Sequence, residues 1–497
     1  MQRRFLREST LLQIILCCVI ATGVAYALAQ YFSNRSLWLD EASLALNILD
    51  RSFVELLDPL DNYQVAPIGF LMTEKVFTLV LGENELALRL FPLLCFLASL
   101  PLFFILCKRL LQHSTVVPLA TSIFSTTHAL IYYASEVKQY STDVLCTIIL
   151  LSIATGKRNT SSRYIAICST TGALFVWFSH ISIIILCTCG LYLLYSGIHK
   201  NQKYRYLLPL FIWALSFCVY YVFLIHDHPS SMAMKKFWGN YFLPLNPFSG
   251  EFYLFLVRAA KNLYAHLLGF GTWYWIPILI SVAGLVSAIM RKKYSLVFFC
   301  LAPLCIHLLI SVFRLYPFSE RLVLYLVPLC IVLYSVGLDA SLRVVQKYIF
   351  PLPSLMLAIP ALVMLALLAK NYPREREEIK EHLHYISQSI KPDEHVYVYY
   401  ASKSALTFYQ KNGFTRLNEE FIHGSVFRNQ NHLYDSEILH LTGKVWMLFS
   451  HVYPSNTEEN EEKYMIDLLL RNGGKILQKI EDTGSRCYYI DTGKAEN

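Results

Sequence analysis

The chain has 497 residues, 55% of them hydrophobic and only 16% charged, with a mean hydropathy of +0.42. That balance excludes an ordinary soluble core and makes lipid the solvent of most of the chain. The net charge of +8 comes without a basic tract or a zinc-finger or helix-turn-helix spacing. Lys and Arg in cytoplasmic loops account for it, and nucleic acid is not expected as a partner.

In chain order, apolar stretches of roughly 16–22 residues, enough to cross about 30 Å of hydrocarbon, predict about eleven spans. They lie near 9–30, 88–107, 115–134, 141–156, 163–179, 181–198, 205–225, 273–290, 294–313, 321–339 and 349–369. With Arg3, Arg4 and Arg7 inside, the clusters Lys108-Arg109, Lys157-Arg158, Lys200/Lys203/Arg205, Arg291-Lys292-Lys293 and Arg343/Lys347 all fall on the cytoplasmic side. Counting either 66–81 or 253–271 as a span would turn later clusters outward. The first contains Glu74 and Lys75 and the second Arg258, Lys261 and His266, so both read as juxtamembrane helices at the outer face. The first span also has the basic start and Ala27-Leu28-Ala29 ending of a cleavable secretory signal. Either way, residue 31 onward is expected outside. Twelve of the 13 cysteines sit in apolar stretches as small hydrophobes, and no disulfide framework follows from them.

After Lys370 the composition turns polar, which divides the chain into a membrane domain, 1–370, and an extracytoplasmic α/β domain, 371–497. In the second, the pattern predicts helices at 374–390, 403–410 and 459–472 and strands at 395–401, 445–450, 475–480 and 487–491. No internal repeat is visible.

The outer loops hold the polar residues that a membrane anchor would not need. In Trp38-Leu39-Asp40-Glu41-Ala42, two carboxylates beside a Trp suit a general base, with partial desolvation expected to raise the carboxyl pKa. The same residues also suit a helix amino-terminal cap. In Tyr132-Tyr133-Ala134-Ser135-Glu136-Val137-Lys138-Gln139-Tyr140, a Lys among tyrosines fits a lipid phosphate or a snorkelling anchor. Arg321 ends Tyr316-Pro317-Phe318-Ser319-Glu320-Arg321 and carries a planar fork suited to phosphate, while Arg89 opens the second span. His180, and His226 and His228 flanking Asp227, could supply ligands to a divalent metal, but no spacing selects such a site. Neither a Walker loop nor a Rossmann fingerprint is present.

Trp38-Leu39-Asp40-Glu41-Ala42 resembles the acidic first-loop motif of GT-C glycosyltransferases, the superfamily of protein O-mannosyltransferases, bacterial aminoarabinose transferases and galacturonosyl transferases of lipopolysaccharide core. Gln64 to Phe70, Phe77 to Gly82, and Glu85 to Leu90 are similar to the stretch that follows in bacterial members. Tyr133-Ala134-Ser135-Glu136-Val137-Lys138-Gln139-Tyr140-Ser141-Thr142-Asp143 resembles the most recognisable element of the bacterial family 39 subgroup. Phe178-Ser179-His180 and Tyr316 to Arg321 resemble later elements. The resemblance covers roughly 10–340 and implies a bacterial inner-membrane enzyme, amino terminus cytoplasmic. It would take sugar from a polyprenyl-phosphate carrier and pass it, with inversion, to a hydroxyl of a lipid, glycan or protein acceptor. By position, Asp40 would be the base with Glu41 in support, and Arg89, Lys138 and Arg321 would lie near the departing phosphate, with Tyr140 and His180 also lining the substrate site. Aminoarabinose transferases have a metal-associated Glu close to the place of Gln64, which weakens the case for a metal here. A transporter or flippase is the rival class, but it would gather its charges at the bilayer midplane rather than at the outer helix ends.

Overall fold

The computed structural model describes residues 2–111, 115–156, 161–199, 203–226, 228–348, 354–413, 421–428, 430–453 and 460–494. All eleven apolar stretches contain helix: Gln2–Phe32, Glu85–Leu110, Val116–Thr126 with His128–Tyr133, Tyr140–Thr155, Ser162–Phe178, Ser182–His199, Lys203–Tyr220, Trp275–Met290, Tyr294–Val312, Val327–Tyr348 and Ala358–Lys370. Among the described residues, six helical stretches are long and apolar enough to cross a membrane unaided: Thr10–Phe32, Glu85–Leu110, Tyr204–Ile225, Gly271–Met290, Tyr294–Val312 and Glu320–Lys347. The chain is an integral membrane protein.

The stretch predicted as one helix at 115–134 is broken. Thr127 takes an extended ψ of 116° between Val116–Thr126 and His128–Tyr133. The hydroxyls of Thr126 and Thr127 donate to the carbonyls of Ser122 and Ile123, at 2.8 and 2.7 Å. Such back-bonding competes with the helix ladder and bends it. Elsewhere, close packing depends on missing side chains: a Cβ on Gly337 would collide with the carbonyl of Ile280, and one on Gly284 with that of Leu333. The helices Trp275–Met290 and Val327–Tyr348 thus approach backbone to backbone, as small residues allow in lipid. The two stretches read as juxtamembrane form helices at Ile68–Leu81 and Gly250–Lys261, the second running on into a wide turn at Asn262–Leu267.

Downstream lies a mixed five-stranded sheet, β1 (His395–Val398), β2 (Phe421–His423), β3 (Lys444–Ser450), β4 (Lys475–Asp482) and β5 (Ser485–Asp491), in the order β2-β1-β3-β5-β4. β1 pairs in parallel with β2 and β3, whereas β5 runs antiparallel to β3 and β4. The short edge strand β2 has no counterpart in the predicted elements. Residue 459, where a helix was expected to begin, lies outside the described residues, and Asn460 caps Glu461–Arg471 by accepting from the Lys463 N–H at 2.7 Å.

One sequence expectation fails in an informative way. Residues 374–379 are not helical, and the helix begins only at Lys380. Their hydrogen bonds go instead to the loop after the first span. The Arg374 N–H donates to Gln30 Oε1 (2.7 Å), Glu378 accepts from the Ser36 N–H (2.9 Å) and Glu377 from the Leu39 N–H (3.1 Å). The Ser36 hydroxyl in turn accepts from the N–H groups of Ile379 (3.1 Å) and Lys380 (3.2 Å). A residue more than 340 positions away therefore satisfies the orphan donors that begin this helix, and the sheet region is strapped onto the loop that leads to Asp40.

Candidate active site

The helix Leu39–Asp50 starts directly on the acidic motif. Successive residues on a helix point about 100° apart, so Asp40 and Glu41 enter different surroundings. Glu41 is fully buried and accepts from Arg35 Nη1 (2.8 Å), Arg89 Nε (3.0 Å), Arg89 Nη2 (2.9 Å) and the Val137 N–H (2.9 Å). Burial alone would raise its pKa, but Arg35 and Arg89 outweigh it and bring the carboxyl down to about 2. The rest of the Arg89 guanidinium donates to the carbonyls of Arg35 (2.7 Å) and Ser36 (3.2 Å).

The structure encloses two of the expected site residues. Arg89 has no exposed surface, and its donors are directed to Glu41 and into the loop. Glu41 is equally enclosed and bridges Arg35 and Arg89.

Asp40 sits on the open side, its side chain 26% exposed and 2.6 Å from Arg321 Nη2. Burial pushes its pKa up, but Lys138, Arg321, Arg376 and His451 offset this, leaving the carboxyl below its ordinary value. The expectation of a raised pKa is thereby reversed: the surrounding cations hold Asp40 ionised. Lys138 donates to Gln64 Oε1 at 2.5 Å, and burial lowers its pKa while Asp40 opposes the shift. Arg321 lies 5.9 Å from the Tyr140 ring and 5.2 Å from the Trp38 ring. The structure thus brings Asp40, Lys138, Tyr140 and Arg321 together. His180 belongs elsewhere: its Nε2 is 2.8 Å from the Tyr220 hydroxyl, and burial, with His228 nearby, lowers its pKa to about 4.

Sequence reasoning missed two members contributed from beyond residue 370. The Arg376 guanidinium lies 3.3 Å over the Trp38 ring, and the His451 ring stacks on the same indole at 5.8 Å while bonding Glu377 at 2.5 Å. Arg376 was hidden in a run that reads as a helix, although the Tyr372-Pro373 break just before it was a usable signal. His451 follows β3 with φ at 51°, and nothing local announces it.

Several buried polar atoms around this loop have no hydrogen-bond partner among the described residues: Trp38 Nε1, Arg321 Nε, Arg35 Nε, and both carboxylate oxygens of Glu136. Glu136 is fully enclosed, and its pKa is raised by burial and by Glu41. Buried polar groups are ordinarily paired, and these unspent donors and acceptors are gathered around one loop. Among the described residues no three His, Cys, Asp or Glu side chains converge to hold a metal ion, and Asp227 lies outside them.

No protein-family profile and no curated protein sequence matches the chain. Solved structures do. ArnT from Cupriavidus metallidurans, bound to undecaprenyl phosphate, superposes with a TM-score of 0.52 at 13% identity, over 95% of this chain and 97% of that one. The fold is GT-C. The apo form of the same ArnT gives 0.50 at 12% identity over 95% and 97%. The Archaeoglobus fulgidus oligosaccharyltransferase, in complex with Zn and sulfate, gives 0.50 at 12% identity over 86% of this chain and 67% of that one. At such identities the likeness carries the fold alone.

Proposed function

We propose that this chain is a glycosyltransferase that moves a sugar from a polyprenyl-phosphate donor to a hydroxyl of a lipid, glycan or protein acceptor at the outer face of the membrane. The observation that carries the reading is the exposed, ionised Asp40 held 2.6 Å from Arg321, with Lys138 in its field and unpaired donors around it. In this reaction the acceptor hydroxyl gives its proton to the Asp40 carboxylate as its oxygen attacks the anomeric carbon. The bond from that carbon to the phosphate oxygen breaks on the opposite side, so the configuration inverts and the electron pair leaves with the phosphate. Arg321 and Lys138 stabilise the charge that develops there. The ArnT of the same fold binds undecaprenyl phosphate, which supports a prenyl phosphate as leaving group.

The distribution of charge supports the orientation. Arg89, near the start of helix Glu85–Leu110, binds Glu41 beside Asp40, whereas Lys108 and Arg109 occupy the last turn of that helix. Beside that far end, Arg291, Lys293 and Asp339 line a small cavity with Leu111 and Val116, and Arg343 pairs with Asp339 at 2.9 Å. Positive loops stay in the cytoplasm, which supports a reading in which Asp40 and the region 371–497 lie outside a bacterial inner membrane. In a strain lacking the protein, mass spectrometry is expected to find a prenyl-linked sugar accumulating and one envelope glycan, lipid or protein short of that sugar. Unchanged pools of both would refute the reading.

A further inference from the structure

The sheet region presents a group of side chains that the reaction above does not use. Behind the site, Trp38 is closed in, only 2% exposed. In front of it the rings continue outward. His451 stacks on Trp38 at 5.8 Å and meets the Tyr453 ring edge-on at 4.8 Å, and Tyr453 lies parallel to Tyr400 within 7°, centroids 6.1 Å apart. Arg428 is exposed, its guanidinium 3.5 Å over the Tyr453 ring and its Nε donating to the Tyr400 hydroxyl at 3.2 Å. It has no carboxylate partner among the described residues; burial lowers its pKa, and Tyr453 and Tyr400 outweigh that and raise it. The file begins beside Asp40, since Arg321 pairs with that carboxylate at 2.6 Å and lies over the Trp38 ring on which His451 stacks.

Tyrosine rings that keep part of their surface exposed offer apolar edges and hydroxyls that suit a pyranose, and a guanidinium with no carboxylate partner among the described residues offers a fork for phosphate or carboxylate. The donor's prenyl chain must stay in lipid, so its phosphate reaches Asp40 from the membrane side. A file leading from Asp40 onto the sheet region leads away from the helix bundle. The geometry points to His451, Tyr453, Tyr400 and Arg428 as an acceptor subsite for an anionic saccharide, whose ring rests on the tyrosines while Arg428 holds its negative group. This assignment rests on the transferase reading and narrows its acceptor class.

The test uses the full-length protein in detergent and two probes, a phosphorylated oligosaccharide and the same oligosaccharide after phosphatase treatment, with binding measured calorimetrically. Wild type is expected to bind the phosphorylated probe about tenfold more tightly than its twin, a difference of about 1.4 kcal/mol. Arg428→Ala should erase that difference, Arg428→Lys should restore part of it, and Tyr453→Ala should weaken both probes. An unchanged preference in folded Arg428→Ala, or equal binding of the two probes by wild type, would overturn the subsite. Asp40→Asn separates the two proposals. It should bind the probes like wild type while transferring no sugar; normal transfer by Asp40→Asn would remove the catalytic reading and leave the subsite standing.

Discussion

Asp40 and Glu41 are consecutive carboxylates at the start of one helix, yet one side of that helix is closed and the other open. On the closed side, Glu41 is wholly buried and takes four hydrogen bonds from Arg35, Arg89 and Val137. On the open side, Asp40 keeps 26% of its side chain exposed and pairs with Arg321 at 2.6 Å. The difference teaches that adjacent acids on one helix can meet opposite surroundings: one is fully satisfied by buried cations, and the other keeps part of its carboxylate in reach of solvent.

The comparison breaks most severely at Glu41. Glu41→Ala leaves two buried guanidinium groups without their counter-charge, and stripping one partner from such a cluster costs about 3–5 kcal/mol. The purified variant is expected to lose its monodisperse, heat-resistant form, read by size-exclusion chromatography after graded heating. Heat resistance equal to wild type would mean that the closed side does not hold the loop. A smaller effect on folding and a selective one on chemistry are expected at Arg321. Arg321→Ala removes a cation whose side chain is only 13% exposed, but it leaves behind the partly exposed Asp40 rather than a buried charge, so the protein should remain folded, with a smaller loss of heat resistance than Glu41→Ala, while sugar transfer falls by about a hundredfold. Because Arg321 lowers the Asp40 pKa, its loss should raise that pKa. Asp40 must be ionised to accept a proton, so the acid limb of the pH–rate profile should move to higher pH. Unchanged transfer with an unchanged acid limb would separate Arg321 from the reaction.

Much of this architecture is legible in the sequence because lipid imposes simple lengths: each apolar run near 20 residues has to be helical. The break at Thr127 was not, since serine and threonine back-bonding leaves no trace in hydropathy. In the site, the sequence brought Asp40, Lys138, Tyr140 and Arg321 into view through their place at helix ends. The pairing of Arg89 with Glu41 was not legible, because a span-opening arginine looks the same whether it faces a lipid or a buried glutamate. The strap at 374–379 escaped for a related reason: a charged run reads as a solvated helix unless its distant partners, here Ser36 and Leu39, are known.

The central claim is that the open acid is the base, and Asp40→Asn tests it most directly. Asn caps a helix about as well as Asp, so a purely structural role for Asp40 leaves insertion, donor binding and turnover near wild type. A neutral amide cannot take a proton from the acceptor, so the account predicts unchanged insertion and retained donor binding with transfer reduced at least about a hundredfold. Turnover close to wild type, measured on purified protein with donor binding as the control, would contradict it.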